Sequence, residues 1–223
     1  MGIEAILWDM DGVLIDSELL KYEAWKLAIE HNGGNSFEKA DYVKLVGLGS
    51  DAIVKELVRK RFISKDVAES VLAERNQIYD TASINDVKLI EPSVDLLIKI
   101  DSQRVNRSPC QVLVSAESYE NIAVHLNRFG LDQYLKFAIS TEGMRTKPAP
   151  DGYNRAIDQL GISSSEGVAI EDTPAGVEAA KRAGLKVVGL ASEWVSQQRL
   201  IGAHADIVVR SLDHLSTDFY KQL

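Results

Sequence analysis

The feature that most constrains the fold of this chain is an apolar run, Ile3 to Trp8, that stops at two carboxylates, Asp9 and Asp11. A short apolar run bounded by polar residues is typical of a buried parallel strand. Ligands of open α/β sheets bind beyond the carboxyl ends of such strands. We therefore expect Asp9 and Asp11 to face a site, where two neighbouring carboxylates require a cation or a proton between them.

The chain alternates between helices and strands from residue 92 onward. A helix opens at Pro92, and a polar loop containing Pro109 leads to the next strand. We predict strands at 111–114, 136–139, 167–170, 186–190 and 206–209, separated by helices at 118–129, 151–160 and 174–183. This alternation predicts the α/β class with a doubly wound parallel sheet.

Residues 17–87 have helical patterning throughout, with predicted helices at 18–31, 38–46, 50–62 and 65–79. The expected buried face of the first helix carries Leu20, Ala24, Leu27 and Ala28. We predict a helical cap at 17–87 inserted into a core formed by 1–16 and 88–223. The glycine-containing segment 47–52 matches a dinucleotide-binding pattern, but that pattern requires a preceding strand. We interpret the segment as a turn of the cap.

Composition excludes several classes of partner. The 223 residues carry a net charge of −8, which argues against nucleic acid or an anionic membrane as the main partner. The single cysteine, Cys110, excludes an internal disulfide, and no apolar run approaches the roughly 20 residues of a membrane helix. We expect a cytoplasmic enzyme; the sequence gives no indication of its oligomeric state. The four histidines show no metal spacing, and we expect them at the surface or at helix ends.

Polar residues follow three of the predicted strands, at the same edge of a parallel sheet. Four carboxylates there predict a hard divalent cation, and oxygen ligands favour Mg²⁺ over zinc. A lysine and a hydroxyl beside such a cation form a site for a phosphate group. The residues concerned are Asp9, Asp11, Glu171 and Asp172 for the cation, with Ser115 and Lys147 for the phosphate.

Four ordered motifs in this sequence resemble those of the haloacid dehalogenase superfamily. They are Asp9-x-Asp11-Gly12-x-x-x-Asp16-Ser17-Glu18, Ser115 after a strand, Lys147-Pro148-x-Pro150-Asp151, and Glu171-Asp172-Thr173-x-x-Gly176. The resemblance covers nearly the whole chain and extends to the helical insertion, which resembles the α-helical cap of phosphoglycolate-type phosphatases and β-phosphoglucomutases.

The resemblance implies a role for each motif. It makes Asp9 the nucleophile that forms an aspartyl-phosphate, and Asp11 the acid that protonates the leaving oxygen and later activates water. It assigns the phosphoryl oxygens to Ser115 and Lys147. Magnesium is then held by Asp9, the backbone carbonyl of Asp11, Asp172 and Glu171, unless Glu171 supports the ligands from behind.

Three functions remain open at this stage. The first is a Mg²⁺-dependent phosphatase acting on a small phosphorylated metabolite. The second is a hexose-phosphate mutase, which the lysine at position 21 disfavours because the resembling mutases carry a histidine there. The third is a binding module that has kept the fold. The candidates for substrate selection in the cap are Lys21, Lys44 and Ser50, each of which could equally be a solvated surface residue.

Overall fold

The structure is a computed structural model that describes residues 2–103 and 108–223. The polar loop predicted ahead of the strand at Gln111 falls partly on residues 104–107, which lie outside the described residues. The chain divides into two compact units. Met1–Ile15 together with Leu89–Leu223 forms the sheet unit, and Asp16–Lys88 forms the helical unit.

The sheet unit is built on six parallel strands. These are β1 (Ala5–Trp8), β4 (Cys110–Ser115), β5 (Ala138–Ser140), β6 (Gly167–Glu171), β7 (Lys186–Leu190) and β8 (Ile207–Val209). Their order is β5-β4-β1-β6-β7-β8, and each neighbouring pair is parallel. Counted within this sheet, the order is 3-2-1-4-5-6, that of a doubly wound fold. The predicted fold class is therefore confirmed.

The central strands are apolar because neighbouring strands and covering helices exclude water from them. All four residues of β1 are buried, and so are all five of β6. Gln111 is a buried polar residue within β4, and both ends of its amide are used. It accepts a hydrogen bond from Trp8 Nε1 at 3.2 Å and donates one to Leu97 O at 3.1 Å, so its burial leaves no amide atom unpaired.

Five helices belong to the sheet unit: α5 (Glu91–Ser102), α6 (Tyr119–Phe129), α7 (Asp151–Leu160), α8 (Pro174–Arg182) and α9 (Gln197–Gly202). Two of them, α6 and α7, end at Gly130 and Gly161, which adopt the left-handed conformation that glycine tolerates best. The short helix α9 was not predicted from the sequence. The other helices of this unit lie within a few residues of their predicted bounds.

The helical unit contains α1 (Glu18–His31), α2 (Lys39–Tyr42), α3 (Ser50–Arg59) and α4 (Ala68–Asp86). The helix predicted at 38–46 is only one turn long, because residues 43–48 continue as turns. The glycine-containing segment 47–52 lies between α2 and α3, as expected for a cap turn. Two strands of two residues, β2 (Ile15–Asp16) and β3 (Lys88–Leu89), pair with each other.

Across the described ranges 2–103 and 108–223, every helix is either too short or too polar to cross a membrane.

Candidate active site

The reversal of strand order places β1 and β6 side by side, and both strands end in carboxylates. Trp8 lies opposite Ile170 in the register, and the Asp9 N–H donates to Ile170 O at 3.0 Å. Asp9 therefore continues β1 by one residue, beside Glu171 at the end of β6. In doubly wound sheets, ligands bind at this reversal, beyond the carboxyl ends of the strands.

Three carboxylates meet at this edge of the sheet. Asp9, Glu171 and Asp172 each offer a ligand oxygen, and these oxygens lie within 4.8 Å of one another. The exposed fractions of the three residues are 7, 0 and 3%. Buried carboxylates so close together repel strongly unless cations lie among them. The structure thus brings together three of the four carboxylates predicted as metal ligands.

Lys147 supplies one of the positive charges. Its Nζ donates to Asp9 Oδ1 at 2.7 Å and to Glu171 Oε1 at 2.6 Å. The loop that carries Lys147 is held on both sides. Arg145 forms a two-pronged ion pair with Asp151 at 2.7 and 3.0 Å, and Arg182 Nη1 donates to Pro148 O at 3.0 Å.

Two glycines allow the acidic groups to pack this tightly. A Cβ on Gly12 would lie 1.9 Å from Asp172 Oδ2, and one on Gly176 would lie 1.9 Å from Glu171 Oε2. Gly12 also has a φ of +75°, a conformation that other residues rarely adopt. Thr173 caps the helix that carries Gly176, since its side chain accepts from Gly176 N at 3.2 Å. The glycines of the first and fourth motifs therefore make room for carboxylate oxygens.

Burial controls the electrostatics of the site. Burial, reinforced by the neighbouring charge of Glu171, raises the pKa of Asp9 to about 7, although Lys147 opposes the change. Burial by itself lowers the pKa of Lys147, but the carboxylates of Asp9 and Glu171 outweigh it and raise that pKa above its usual range. Lys147 therefore stays charged, while Asp9 requires a further positive charge to remain ionised at neutral pH.

A divalent cation fits the residues present. Three carboxylates and one ammonium meet in this buried cluster, so its ionised groups carry an excess of negative charge. Glu171 Oε2 is buried and has no hydrogen-bond partner among the described residues, so one ligand oxygen is not yet used. An all-oxygen donor set of this charge suits Mg²⁺ better than softer metals.

Ser115 and Asp11 lie near this cluster in different environments. Ser115 ends β4 and is fully buried, and its Oγ accepts from Glu117 N at 3.1 Å. It does not cap the following helix, because Ser118 does so. Asp11 is half-buried in the turn after β1, and its charge contributes to raising the pKa of Asp9.

Two residues near the site were missed by sequence reasoning. Tyr153 is buried on α7, and its hydroxyl donates a short hydrogen bond to Glu171 Oε1. His125 was expected at the surface or at a helix end, but it lies inside α6 and is 3% exposed. That prediction is wrong, because α6 presents His125 and Ile122 on its buried side. Helical spacing groups His125 with Ile122 and so indicates its burial, but spacing gave no signal that either residue lies near the site.

The three candidates for substrate selection lie in the helical unit. Lys21 is largely buried and forms an ion pair with Glu18 at 3.3 Å. The Lys44 side chain is 61% exposed and pairs with Asp41 at 3.3 Å. Ser50 is the first residue of α3 and is half-buried. Both lysines therefore pair with a carboxylate of the helical unit, and they differ in that the Lys21 side chain is largely buried.

The fold and the site together define a class: a doubly wound α/β protein with a lysine-bridged acidic cluster at the strand-order reversal and a helical insertion after the first strand. The chain belongs to the haloacid dehalogenase-like hydrolase family, whose model matches residues 6–190. The resemblance stated from the four motifs is thereby confirmed.

Individual relatives are phosphatases. The chain is 29% identical over 208 residues to validoxylamine A 7'-phosphate phosphatase of Streptomyces hygroscopicus subsp. limoneus, covering 92% of each chain. It is 24% identical to the phosphorylated carbohydrates phosphatase of Thermotoga maritima, covering 93% of this chain and 94% of the relative. These relatives indicate a phosphoric monoester hydrolase.

A solved structure agrees with the fold. The crystal structure of CbbY from Rhodobacter sphaeroides in complex with phosphate matches with a TM-score of 0.81 at 22% identity, covering 99% of this chain and 100% of that one. At this level of identity, the match supports the architecture of the whole chain.

Proposed function

We propose that this protein is a Mg²⁺-dependent phosphatase that hydrolyses a small phosphomonoester, such as a phosphorylated carbohydrate or a phosphoglycolate-like acid, in the cytoplasm. The observation that carries the proposal is the buried cluster of Asp9, Glu171 and Asp172 with Lys147 bridging two of its members. Its phosphatase relatives act on phosphorylated compounds, as their names state.

Asp9 is the nucleophile of the proposed reaction. A carboxylate oxygen of Asp9 attacks the phosphorus, the bond from phosphorus to the ester oxygen breaks, and Asp11 protonates the departing alcohol. Asp11 then removes a proton from water, which attacks the aspartyl-phosphate and releases inorganic phosphate. Lys147 and the Ser115 hydroxyl hold phosphoryl oxygens as charge develops on them.

The proposed metal ligands are Asp9, the backbone carbonyl of Asp11, Asp172 and Glu171, with the unpartnered Oε2 as the Glu171 donor. When bound, Mg²⁺ would neutralise phosphoryl oxygens and keep Asp9 ionised. Tyr153 and Lys147 orient Glu171 by hydrogen bonds to its other carboxylate oxygen. These two contacts leave Oε2 as the Glu171 oxygen without a hydrogen-bond partner among the described residues.

Phosphate release from p-nitrophenyl phosphate and from a set of sugar phosphates tests the proposal. We expect activity that requires Mg²⁺ and disappears in Asp9→Asn. The matched control is Asp158→Asn, an exposed carboxylate on α7, which should keep full activity. Full activity of the Asp9 variant, or undiminished activity in EDTA, would contradict the mechanism.

The mutase alternative has its own test. Incubation with β-glucose 1-phosphate should release phosphate and glucose if the enzyme is a phosphatase. Formation of glucose 6-phosphate without phosphate release would overturn the phosphatase assignment in favour of the mutase.

A further inference from the structure

A cavity lies in the sheet unit beside the turn that follows β1. It has a volume of about 190 Å³. Its walls come from the start of α5, from the chain after β7 and from the chain after β8. The apolar part of its lining comprises Ile90, Pro92, Leu190, Ala191 and Leu212. We refer to it as the side cavity.

One charged side chain lines the side cavity. Ser93 also contributes to its lining, but the Ser93 Oγ is fully buried. Arg210 is exposed and is the charged residue in the lining; within residues 2–103 and 108–223 it forms neither an ion pair nor a hydrogen bond.

Size and charge narrow the class of ligand. An apolar cavity of about 150 Å³ accommodates a benzene-sized molecule, so this cavity can hold a six-carbon body together with a carboxylate. A guanidinium pairs with a carboxylate through two parallel hydrogen bonds. The single positive charge of Arg210 matches a monoanion better than a phosphate dianion.

We infer that the side cavity binds a small organic carboxylate, with Arg210 pairing with the carboxylate and the apolar walls enclosing a body of about six carbons. The site is distinct from the phosphate site because neither Lys147 nor any of the three clustered carboxylates lines it.

The side cavity is nevertheless adjacent to the acidic cluster. Gly12 lines it, and the space that a Cβ of Gly12 would take is occupied by Asp172 Oδ2. A ligand in the side cavity therefore contacts the turn that follows the nucleophile strand.

Fluorine-19 NMR titration of the full chain with 4-fluorobenzoate tests the inference. We expect saturable binding that excess inorganic phosphate does not displace. Arg210→Gln should weaken binding at least about tenfold. The uncharged analogue 4-fluorobenzyl alcohol should bind at least about tenfold more weakly than the carboxylate.

Arg155→Gln is the matched control, because Arg155 is an exposed arginine on α7 outside the side cavity. Its affinity for 4-fluorobenzoate should equal that of the unsubstituted protein. Absence of saturable binding, unchanged affinity in Arg210→Gln, or displacement by phosphate would each overturn the inference. Arg210 is exposed, so thermal unfolding should show that Arg210→Gln remains folded.

Discussion

At the carboxyl edge of the main sheet, three carboxylates lie close together and one ammonium bonds two of them. In the helical unit, by contrast, a single buried guanidinium lies between two aromatic rings. The first cluster carries an excess of buried charge. In the second, the Arg75 guanidinium carbon lies 5.3 Å from the Trp25 ring centre and 4.7 Å from that of Tyr79.

Arg75 is balanced without a carboxylate. It is 9% exposed, its Nη1 donates to Asn76 Oδ1 at 3.1 Å, and no described carboxylate pairs with it. Its Nε is buried without a hydrogen-bond partner among the described residues. Ring faces attract a cation, and the weakly hydrated guanidinium is the positive group that is buried most easily. The comparison teaches that a buried charge can be structural when ring faces surround it. An excess of buried charge of one sign marks a site that requires a ligand of the opposite charge.

Removing the bridging lysine should give the largest effect. In Lys147→Met, the carboxylates lose their ammonium, and we expect the free energy of unfolding of the metal-free protein to fall by about 3 kcal/mol. Phosphate release should fall at least about a hundredfold. Urea unfolding with and without Mg²⁺ checks the first effect, since added Mg²⁺ should recover part of the lost stability. Equal losses of stability with and without Mg²⁺ would contradict an excess of buried negative charge in the cluster.

Glu171→Gln removes one negative charge from the cluster and should have a smaller effect on the stability of the protein. We expect the affinity for Mg²⁺, measured by calorimetric titration, to fall by about ten- to a hundredfold. Unfolding of the metal-free variant should change less than in Lys147→Met, because one repulsive charge beside Asp9 is removed. Glu120→Gln, an exposed position on α6, is the control. Unchanged Mg²⁺ affinity in Glu171→Gln would exclude this residue from the metal site.

Arg75→Met tests the other side of the comparison. Loss of the cation between two rings should lower the free energy of unfolding by about 1–2 kcal/mol. The loss should be the same with and without Mg²⁺, because Arg75 is compensated by its own unit. Arg59→Met, at an exposed position of α3, should change stability little. A Mg²⁺-dependent loss in Arg75→Met would contradict a purely structural role.

The smallest effect concerns pH. Burial lowers the pKa of His125, although Asp11 opposes this change. The His125 imidazole therefore binds a proton at a higher pH in the unfolded chain than in the folded protein. The stability that the neutral His125 contributes is lost as pH falls below the usual histidine pKa of about 6.5. His125→Gln should lose less stability than the unsubstituted protein between neutral and mildly acidic pH. Chemical denaturation at each pH measures the difference; identical pH slopes would contradict it.

The raised pKa of Asp9 acts in the opposite direction. Its folded pKa of about 7 exceeds the unfolded value, so its stabilising contribution is greatest at low pH and is lost as pH rises through 7. His125→Gln and the unsubstituted protein both contain Asp9. The difference between their pH slopes therefore isolates the contribution of His125.

The carboxyl edge of the sheet could be predicted because strand ends leave a clear pattern. Asp9, Glu171 and Asp172 each follow an apolar run, and parallel strands bring such ends together. Tyr153 was missed because a tyrosine in an amphipathic helix looks like a core residue. Its hydrogen bond to Glu171 depends on how α7 packs against the sheet, which the local sequence does not specify.

Helix α1 shows the limit of periodicity. Ala24 and Ala28 are buried as predicted, but Leu27 is 40% exposed. The buried face instead includes Tyr22 and Trp25, whose larger apolar surfaces gain more from burial. The local sequence does not specify which helix packs against α1. That helix is α4, and its Arg75 lies against Trp25 on the aromatic side of α1.

The sequence by itself determined the strand–helix alternation, the four motifs and the family, because these depend on local order and on residues next to one another. Only the tertiary structure decided that Lys147 bridges Asp9 and Glu171, that Glu171 Oε2 lacks a partner, and that Ser93 and Arg210 line one cavity. These facts join residues up to 138 positions apart in the chain. Burial and charge at such contacts depend on the assembled surroundings of each group, which no local pattern contains.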